Sequence, residues 1–334
     1  TCPCALALAT PAAFAAAGSR LSQLRLLVTN GNAIEALSRA TLVIFDKTGT
    51  LTRGTPVITA VFVLDENYSE YDCRLVAAAL ETASSHPLGR AFALDDALPD
   101  VTNHEVETGR GVRGTIDGRD WRLGSADYVG GGIVTPDNSA THVFLGAVGA
   151  AVAWFEIEDE LRPGALETVR RLHHRGVKTA LVSGDREASV TRVAAELDIG
   201  ETYFECTPER KLEIIETAQH RGERVVMVGD GINDAPVLAG ANTSIAPAHG
   251  ALLAQTSADL IMLGNSLEPV TTALRMAGKT MRIVRQNLTW AIVYTALALP
   301  LAAAGFVPPW AAASGMSASS LIVVLTALRL SRFE

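Results

Sequence analysis

Thr41-Leu42-Val43-Ile44-Phe45-Asp46-Lys47-Thr48-Gly49-Thr50-Leu51-Thr52 is the stretch that decides the fold. Its first five residues are an apolar, β-branched run, the pattern of a strand buried in a parallel sheet. The run ends on a carboxylate, Asp46, followed by hydroxyls and a glycine. A carboxylate at a strand tip can attack phosphorus and form an aspartyl phosphate. Flanking amides and hydroxyls can stabilise the equatorial oxygens as charge develops. Two later segments repeat the pattern: Val177–Val182 leads into Ser183-Gly184-Asp185, and Arg224–Val228 leads into Gly229-Asp230. Helical patterns follow at Glu187–Leu197 and, after a Gly-rich turn, at Ala235–Ala241. Ligands in such sheets bind beyond the carboxyl ends of the strands, so three strand ends should converge on one site.

Between Gly54 and Trp154 the character changes. Strand-like pieces (Val57–Val63, Gly111–Ile116, Trp121–Leu123, Val143–Leu145) surround a helical pattern at Arg74–Ala83, with Gly-rich turns between them. This predicts a second domain inserted after the first strand, and Glu158–Val169 returns the chain to the α/β core. No GxxxxGK[ST] occurs, which excludes a P-loop.

The two ends are apolar. The chain opens with TCPCALALATPAAFAAAG, free of charge through Gly18 and a little short of the roughly 20 residues a spanning helix needs. We expect it to be part of a helix in a longer protein. From Leu288 to Leu328 no ionisable residue occurs, and Pro308-Pro309 divides that stretch near its middle. Arg282 and Arg285 flank one side, and Arg329 and Arg332 the other. By the positive-inside rule both ends face the cytoplasm, so the segment is expected to be a helical hairpin, with Trp310 at the opposite interface. This split explains how a mean hydropathy of +0.23 coexists with 19% charged residues. A net charge of −8 and the lack of any Lys or Arg run argue against nucleic acid as a partner. Cys73 and Cys206 are isolated and read as ordinary buried thiols.

The heptad Asp46–Thr52 resembles the phosphorylation signature of P-type ATPases, within the haloacid-dehalogenase fold. The resemblance, with the copper-transporting members in particular, runs along the whole chain and implies the following. Soluble phosphatases of that fold carry a second Asp two places after the nucleophile; Thr48 stands there, so the phosphoenzyme should persist. Ser183 of Ser183-Gly184-Asp185 would hold a phosphoryl oxygen, where the family more often has Thr. Lys211 would neutralise phosphate charge, with Lys47 beside the nucleophile. Gly229-Asp230-Gly231-Ile232-Asn233-Asp234 resembles the hinge motif: Asp230, Asp46 and the Thr48 carbonyl would hold Mg²⁺, with Asn233 and Asp234 nearby. Glu81, His86 of a His-Pro pair, Gly109 and Gly111 match the adenine pocket for ATP. Ser85 and Ser125 depart from the family there.

For the transported ion, Cys2-Pro3-Cys4 in an apolar helix offers soft thiolates, which select Cu(I) over hard cations. The hairpin adds Tyr294, Met316, Ser319 and Ser320 and no charged residue, the monovalent copper pattern rather than the divalent one. Thr295 stands where that pattern has Asn. VPPW and GMSASS resemble the branch that supplies copper for cytochrome oxidase assembly. The expected fold is an α/β haloacid-dehalogenase-like phosphorylation domain (41–55 and 156–280) with an inserted α+β nucleotide-binding domain (56–155). Transmembrane α-helices lie at both ends: 1–18 as a partial helix, 19–40 as a stalk helix, and 284–330 as the hairpin. The implied partners are the lipid bilayer, the remaining half of the same pump with its actuator domain, and a copper chaperone. The implied location is a bacterial inner membrane, with the soluble domains cytoplasmic. A divalent-metal (Zn/Cd) pump, a soluble haloacid-dehalogenase-type phosphatase and a non-catalytic nucleotide-binding module are the alternatives.

Overall fold

A computed structural model describes residues 4–84, 87–130, 140–147, 149–230, 235–248 and 252–332. The chain divides into two compact units: Thr1–Leu51, Arg162–Asp185 and Val193–Glu334 form one, and Thr52–Leu161 with Arg186–Arg192 the other.

The first unit is built on seven strands: β1 (Leu26–Val28), β2 (Leu42–Asp46), β9 (Lys178–Val182), β10 (Glu201–Tyr203), β11 (Val225–Val228), β12 (Thr243–Pro247) and β13 (Leu260–Met262). Their order is β1-β13-β12-β11-β2-β9-β10, parallel except for β1. All five residues of β2 and all four of β11 are buried, as continuous apolar runs in a doubly covered sheet should be. Leu42, Ile44, Ala180, Val182, Val225 and Met227 form one core with Ile214, Ile215, Val237 and Leu238. The last four come from α7 (Pro208–His220) and α8 (Ala235–Gly240). Thr207 caps α7, its hydroxyl accepting from the Arg210 N–H, and Pro208 opens the first turn.

The second unit is a six-stranded antiparallel sheet of β3 (Thr52–Val63), β4 (Thr102–Glu107), β5 (Gly111–Ile116), β6 (Arg119–Gly124), β7 (Thr141–Ala147) and β8 (Ala150–Leu161), ordered β3-β8-β7-β6-β5-β4. Helix α3 (Glu70–Glu81) starts with a reciprocal Ser69–Asp72 capping box and packs its buried Cys73, Ala77 and Leu80 onto Val112, Leu123, Leu145 and Phe155. Strand β4, which the sequence pattern did not single out, is polar along most of its length and forms the sheet edge.

The apolar ends are helical and belong to the first unit. α1 (Cys4–Gln23) packs against α10 (Glu268–Ala303) and α11 (Pro309–Ala327). Ala5, Ala9, Ala291 and Val323 form the small-residue core of that contact. Residues 309–330 contain an 18-residue window of mean hydropathy 1.7, long and apolar enough by length and composition to cross a membrane. Trp290, Ile292, Val293 and Leu297 on α10, and Leu321, Ile322 and Leu325 on α11, are exposed. Such an apolar surface suits lipid rather than water.

One expectation fails. Residues 19–40 are not a continuous stalk helix: α1 ends at Gln23, β1 follows, and α2 (Ala33–Ser38) is short. Arg25 takes a left-handed φ of 64°, which a helix does not accommodate, and Leu26–Val28 gains ladder hydrogen bonds to β13 instead. The continuous stalk is α10, 36 residues that run from the sheet unit into the apolar stretch without a break at 284.

Candidate active site

Parallel pairing sets the ends of β2, β9 and β11 side by side. Asp46 is opposite Val182 on β9, and Phe45 is opposite Val228 on β11. Asp46, the 183–185 turn and Asp230 therefore lie at one sheet edge. This convergence follows from register, because the strands stop within a residue or two of one another.

Asp46 is buried, and the buried Lys211 of α7 donates to its Oδ1 at 2.6 Å. An isolated carboxylate there would carry a large desolvation penalty; the ammonium offsets it and holds the other oxygen's direction fixed. Lys47, also buried, pairs with the Asp185 carboxylate, whose side chain remains 42% exposed. The Thr48 hydroxyl stands 3.5 Å from the same carboxylate, at the limit of a hydrogen bond. Ser183 is buried, and its Oγ accepts from the Asp185 N–H at 3.1 Å, fixing the turn. Backbone bonds from Cys206 to Ser183 and from Glu205 to Asp185 brace it further. Burial pushes up the thiol pKa of Cys206, with Lys211 opposing it, which suits a packing role.

Gly49 is required by geometry. Its φ is +72°, and a Cβ there would lie 1.7 Å from Asp230 Oδ2. The Asp230 carboxylate therefore reaches the turn after Asp46. Two carboxylates on adjacent strand ends, beside exposed backbone, suit a hard cation that keeps several of its own waters. Among the described residues no group of three or more His, Cys, Asp or Glu side chains could hold a metal. When bound, Mg²⁺ supplies charge neutralisation for phosphate oxygens. Asn233 and Asp234 lie outside the described residues.

Arg162, which sequence reasoning missed, is buried beneath this turn. Its Nε donates to the Thr50 carbonyl at 2.8 Å and its NH2 group to the Gly49 carbonyl, while its N–H bonds Leu51 O at 2.7 Å. A buried guanidinium that donates to two consecutive carbonyls fixes the backbone of the heptad. The available signal was an arginine in the return segment Glu158–Val169, beside Pro163.

In the six-stranded unit, Glu81 ends α3, which packs on β5, the strand that Gly111 opens. A Cβ at Gly89 would lie 2.6 Å from Glu81 Oε2, so Gly89 belongs with this group and was also missed. Gly109 has a φ of +78°, and a Cβ at Gly111 would lie 2.1 Å from Leu123 O. Close backbone packing therefore requires glycine at 111. His86 lies outside the described residues.

In the helical ends, a Cβ at Gly315 would lie 2.7 Å from the Tyr294 hydroxyl, so Tyr294 reaches α11 one residue before Met316. Buried Ser319 accepts from Trp290 Nε1 at 3.2 Å. Thr295 turns its hydroxyl back to the Ala291 carbonyl, 2.8 Å away. Met316 and Ser320 are half-buried. Cys2 lies outside the described residues; Cys4 opens α1, and its side chain is not described.

The model of the haloacid dehalogenase-like hydrolases matches residues 40–242. The nitrogen fixation protein FixI of Rhizobium leguminosarum bv. viciae is 39% identical over all of this chain. A copper-exporting P-type ATPase of Mycobacterium tuberculosis is 36% identical over 99% of it. The chain spans 44% and 45% of those relatives' lengths, respectively. The crystal structure of a zinc-transporting PIB-type ATPase in its E2.Pi state superposes with a TM-score of 0.88 at 29% identity, covering 99% of this chain and 56% of that one. The catalytic domain of the CPx-ATPase CopB-B covers 78% of this chain and 98% of that domain with a TM-score of 0.63 at 30% identity. The chain belongs to the haloacid dehalogenase-like hydrolases and, within them, to the P-type ATPases.

Proposed function

We propose that this chain carries the catalytic unit and part of the ion path of an ATP-driven heavy-metal pump, with Asp46 as the residue that takes the terminal phosphoryl group. The observation that carries the reading is the buried Asp46–Lys211 pair at the strand end, with Asp230 reaching the adjoining turn. Asp46 Oδ attacks the γ-phosphorus in line, and the bond to the β,γ-bridging oxygen breaks as ADP leaves. Lys211 and the 183–185 turn stabilise the equatorial oxygens; Asp230, Asp46 and the Thr48 carbonyl would hold Mg²⁺, which would neutralise phosphate charge. With Thr48 in place of a second carboxylic acid, that position supplies no general acid or base to activate water, so the acyl phosphate survives to drive a conformational step.

In this reading residues 41–55 and 156–280 are the phosphorylation domain. Residues 56–155 bind ATP through Glu81, His86, Gly109 and Gly111. The helices 1–18 and 284–330 sit in the bilayer, with the soluble domains on the cytoplasmic side. The actuator domain lies in the part of the relatives that this chain does not span, and a copper chaperone is the upstream partner. Cu(I) is the proposed substrate, carried by Cys2, Cys4, Met316 and the hydroxyls of Tyr294, Ser319 and Ser320. The charge-free character of the hairpin supports it, because a divalent ion in low dielectric calls for a compensating charge. The zinc-transporting structural relative keeps a divalent reading in play.

Acid-stable ³²P labelling of the pump in membranes, with Cu(I), Ag(I) and Zn(II) in turn, tests both levels. Label should appear with the two monovalent ions and vanish in Asp46→Asn. Label that persists in Asp46→Asn overturns the mechanism, and stimulation by Zn(II) alone overturns the substrate.

A further inference from the structure

On α10, short of the apolar stretch, Arg275, Lys279 and Arg282 follow one another at intervals of four and three residues, which places them on one side of the helix. Arg175, in the turn after α5 (Ala165–His173), meets that side. These four cations and Gly278 line a cavity of ≈ 310 Å³. Burial and the nearby Arg275 hold the Arg175 guanidinium below its ordinary range. Glycine is disfavoured inside a helix. A Cβ at Gly278 would meet nothing within 4 Å, so the cavity has room beside the helix there.

The position on the helix indicates what fills the cavity. Leu288 begins the charge-free stretch. Arg282 precedes it by six residues, about 9 Å along the axis. Polar headgroups occupy roughly 5–8 Å beyond the hydrocarbon on each side, and long basic side chains reach several ångströms further. Arg285 lies on the same helix, and Arg329 lies in the short turn 328–330, which packs against α1 and α10. Cations thus collect at one end of the helices in a chain whose net charge is −8.

We propose that this cavity binds the phosphate of an anionic phospholipid headgroup from the adjoining leaflet, bridging α10 to the turn after α5. Arg282 and Lys279 take the phosphate oxygens, and Arg275 and Arg175 close the outer side. Such a lipid ties the stalk helix to the phosphorylation unit at the membrane surface. The proposal rests on the membrane reading of the helical ends and is independent of which ion is carried.

The test uses the whole chain in neutral detergent micelles, titrated with dioleoyl-phosphatidylglycerol or dioleoyl-phosphatidylcholine and read by native mass spectrometry. Phosphatidylglycerol should bind at least about fivefold more tightly, from the attraction of one to two basic residues. Lys279→Gln with Arg282→Gln, or Gly278→Asp alone, should bring the ratio close to one. Gly278→Ala and Arg285→Gln should leave it near the parent value. A ratio of one in the parent chain, or a preference that survives Gly278→Asp and the double variant, overturns the proposal. Equal displacement by inorganic phosphate assigns the cavity to soluble anions and overturns the lipid source. Co-flotation with phosphatidylcholine vesicles checks the underlying reading separately: a chain that floats yet shows no preference refutes only the lipid site. A chain that fails to float refutes both.

Discussion

The carboxyl end of β2 and the contact between α10 and α11 both hold buried polar groups, and they satisfy them in opposite ways. At β2 the groups are ions: Asp46 with Lys211, Lys47 with Asp185, and Arg162 spent on two carbonyls. Between the helices they are neutral. Asn287 Nδ2 donates to the Val323 carbonyl at 3.2 Å, the Thr326 hydroxyl lies 2.5 Å from Asn287 Oδ1, and Trp290 donates to Ser319. The difference teaches where charge is usable. At β2 the neighbouring Thr48 and the Asp185 side chain are exposed to water, so an anion can approach the carboxylate. A helix contact surrounded by exposed Leu, Ile and Val must meet its hydrogen bonds with dipoles, since an unpaired ion in hydrocarbon costs far more.

Four measurements would break or sharpen that contrast. The largest effect belongs to Lys211→Met, which leaves the Asp46 carboxylate buried without its ammonium. It should cost roughly 3–5 kcal/mol in thermal unfolding of the detergent-solubilised chain and abolish labelling at Asp46. If the variant is as stable as the parent, the charge pair is not what holds the strand tip. Arg162→Gln comes next. Stranding the Gly49 and Thr50 carbonyls should cost about 2–4 kcal/mol, and slower phosphorylation at saturating ATP with little change in nucleotide affinity would mark Arg162 as a positioning residue. An unchanged labelling rate would reduce it to packing.

Asn287→Leu should cost only about 0.6–1.7 kcal/mol, the range for hydrogen bonds between membrane helices. A loss as large as that of Lys211→Met would erase the distinction between the two regions. The smallest effect concerns Glu223, whose carboxyl is held below the ordinary glutamate range by hydrogen bonds from Lys178 and Thr41. A depressed folded pKa means the contribution is complete above the unfolded value and is lost as pH falls through the folded one. The unfolding midpoint should therefore drop below about pH 4.3 less steeply in Glu223→Gln than in the parent chain, and parallel profiles would contradict the assignment.

Much of the fold was legible because its signals are local. The run Thr41–Phe45 is apolar and β-branched, and β2 forms where it stands. The pattern Glu187–Leu197 gives α6 at those residues, and Gly111–Ile116 gives β5. The polar strand β4 and the break at Arg25 were illegible for the opposite reason. Each depends on a pairing partner rather than on its own residues: β4 on β5 across a short turn, and β1 on β13, more than 230 residues away. Arg162 and Gly89 went unseen because their roles lie in what they touch. Glu81 has neither a spacing nor a motif in common with Gly89, and a buried guanidinium looks in sequence like any surface arginine.

By itself the chain of letters determined the chemistry on offer: a carboxylate at a strand end, hydroxyls and glycines after it, a distant lysine and Asp230, and apolar ends free of charge. Only the tertiary structure decided which of these meet. Parallel register brings Asp46, Ser183 and Asp230 to one edge, helix α7 carries Lys211 to within 2.6 Å of Asp46, and Arg162 is desolvated beneath the turn. The reason is physical: the identity of a side chain fixes its charge and hydrogen-bonding capacity, whereas burial and distance fix how strongly those act.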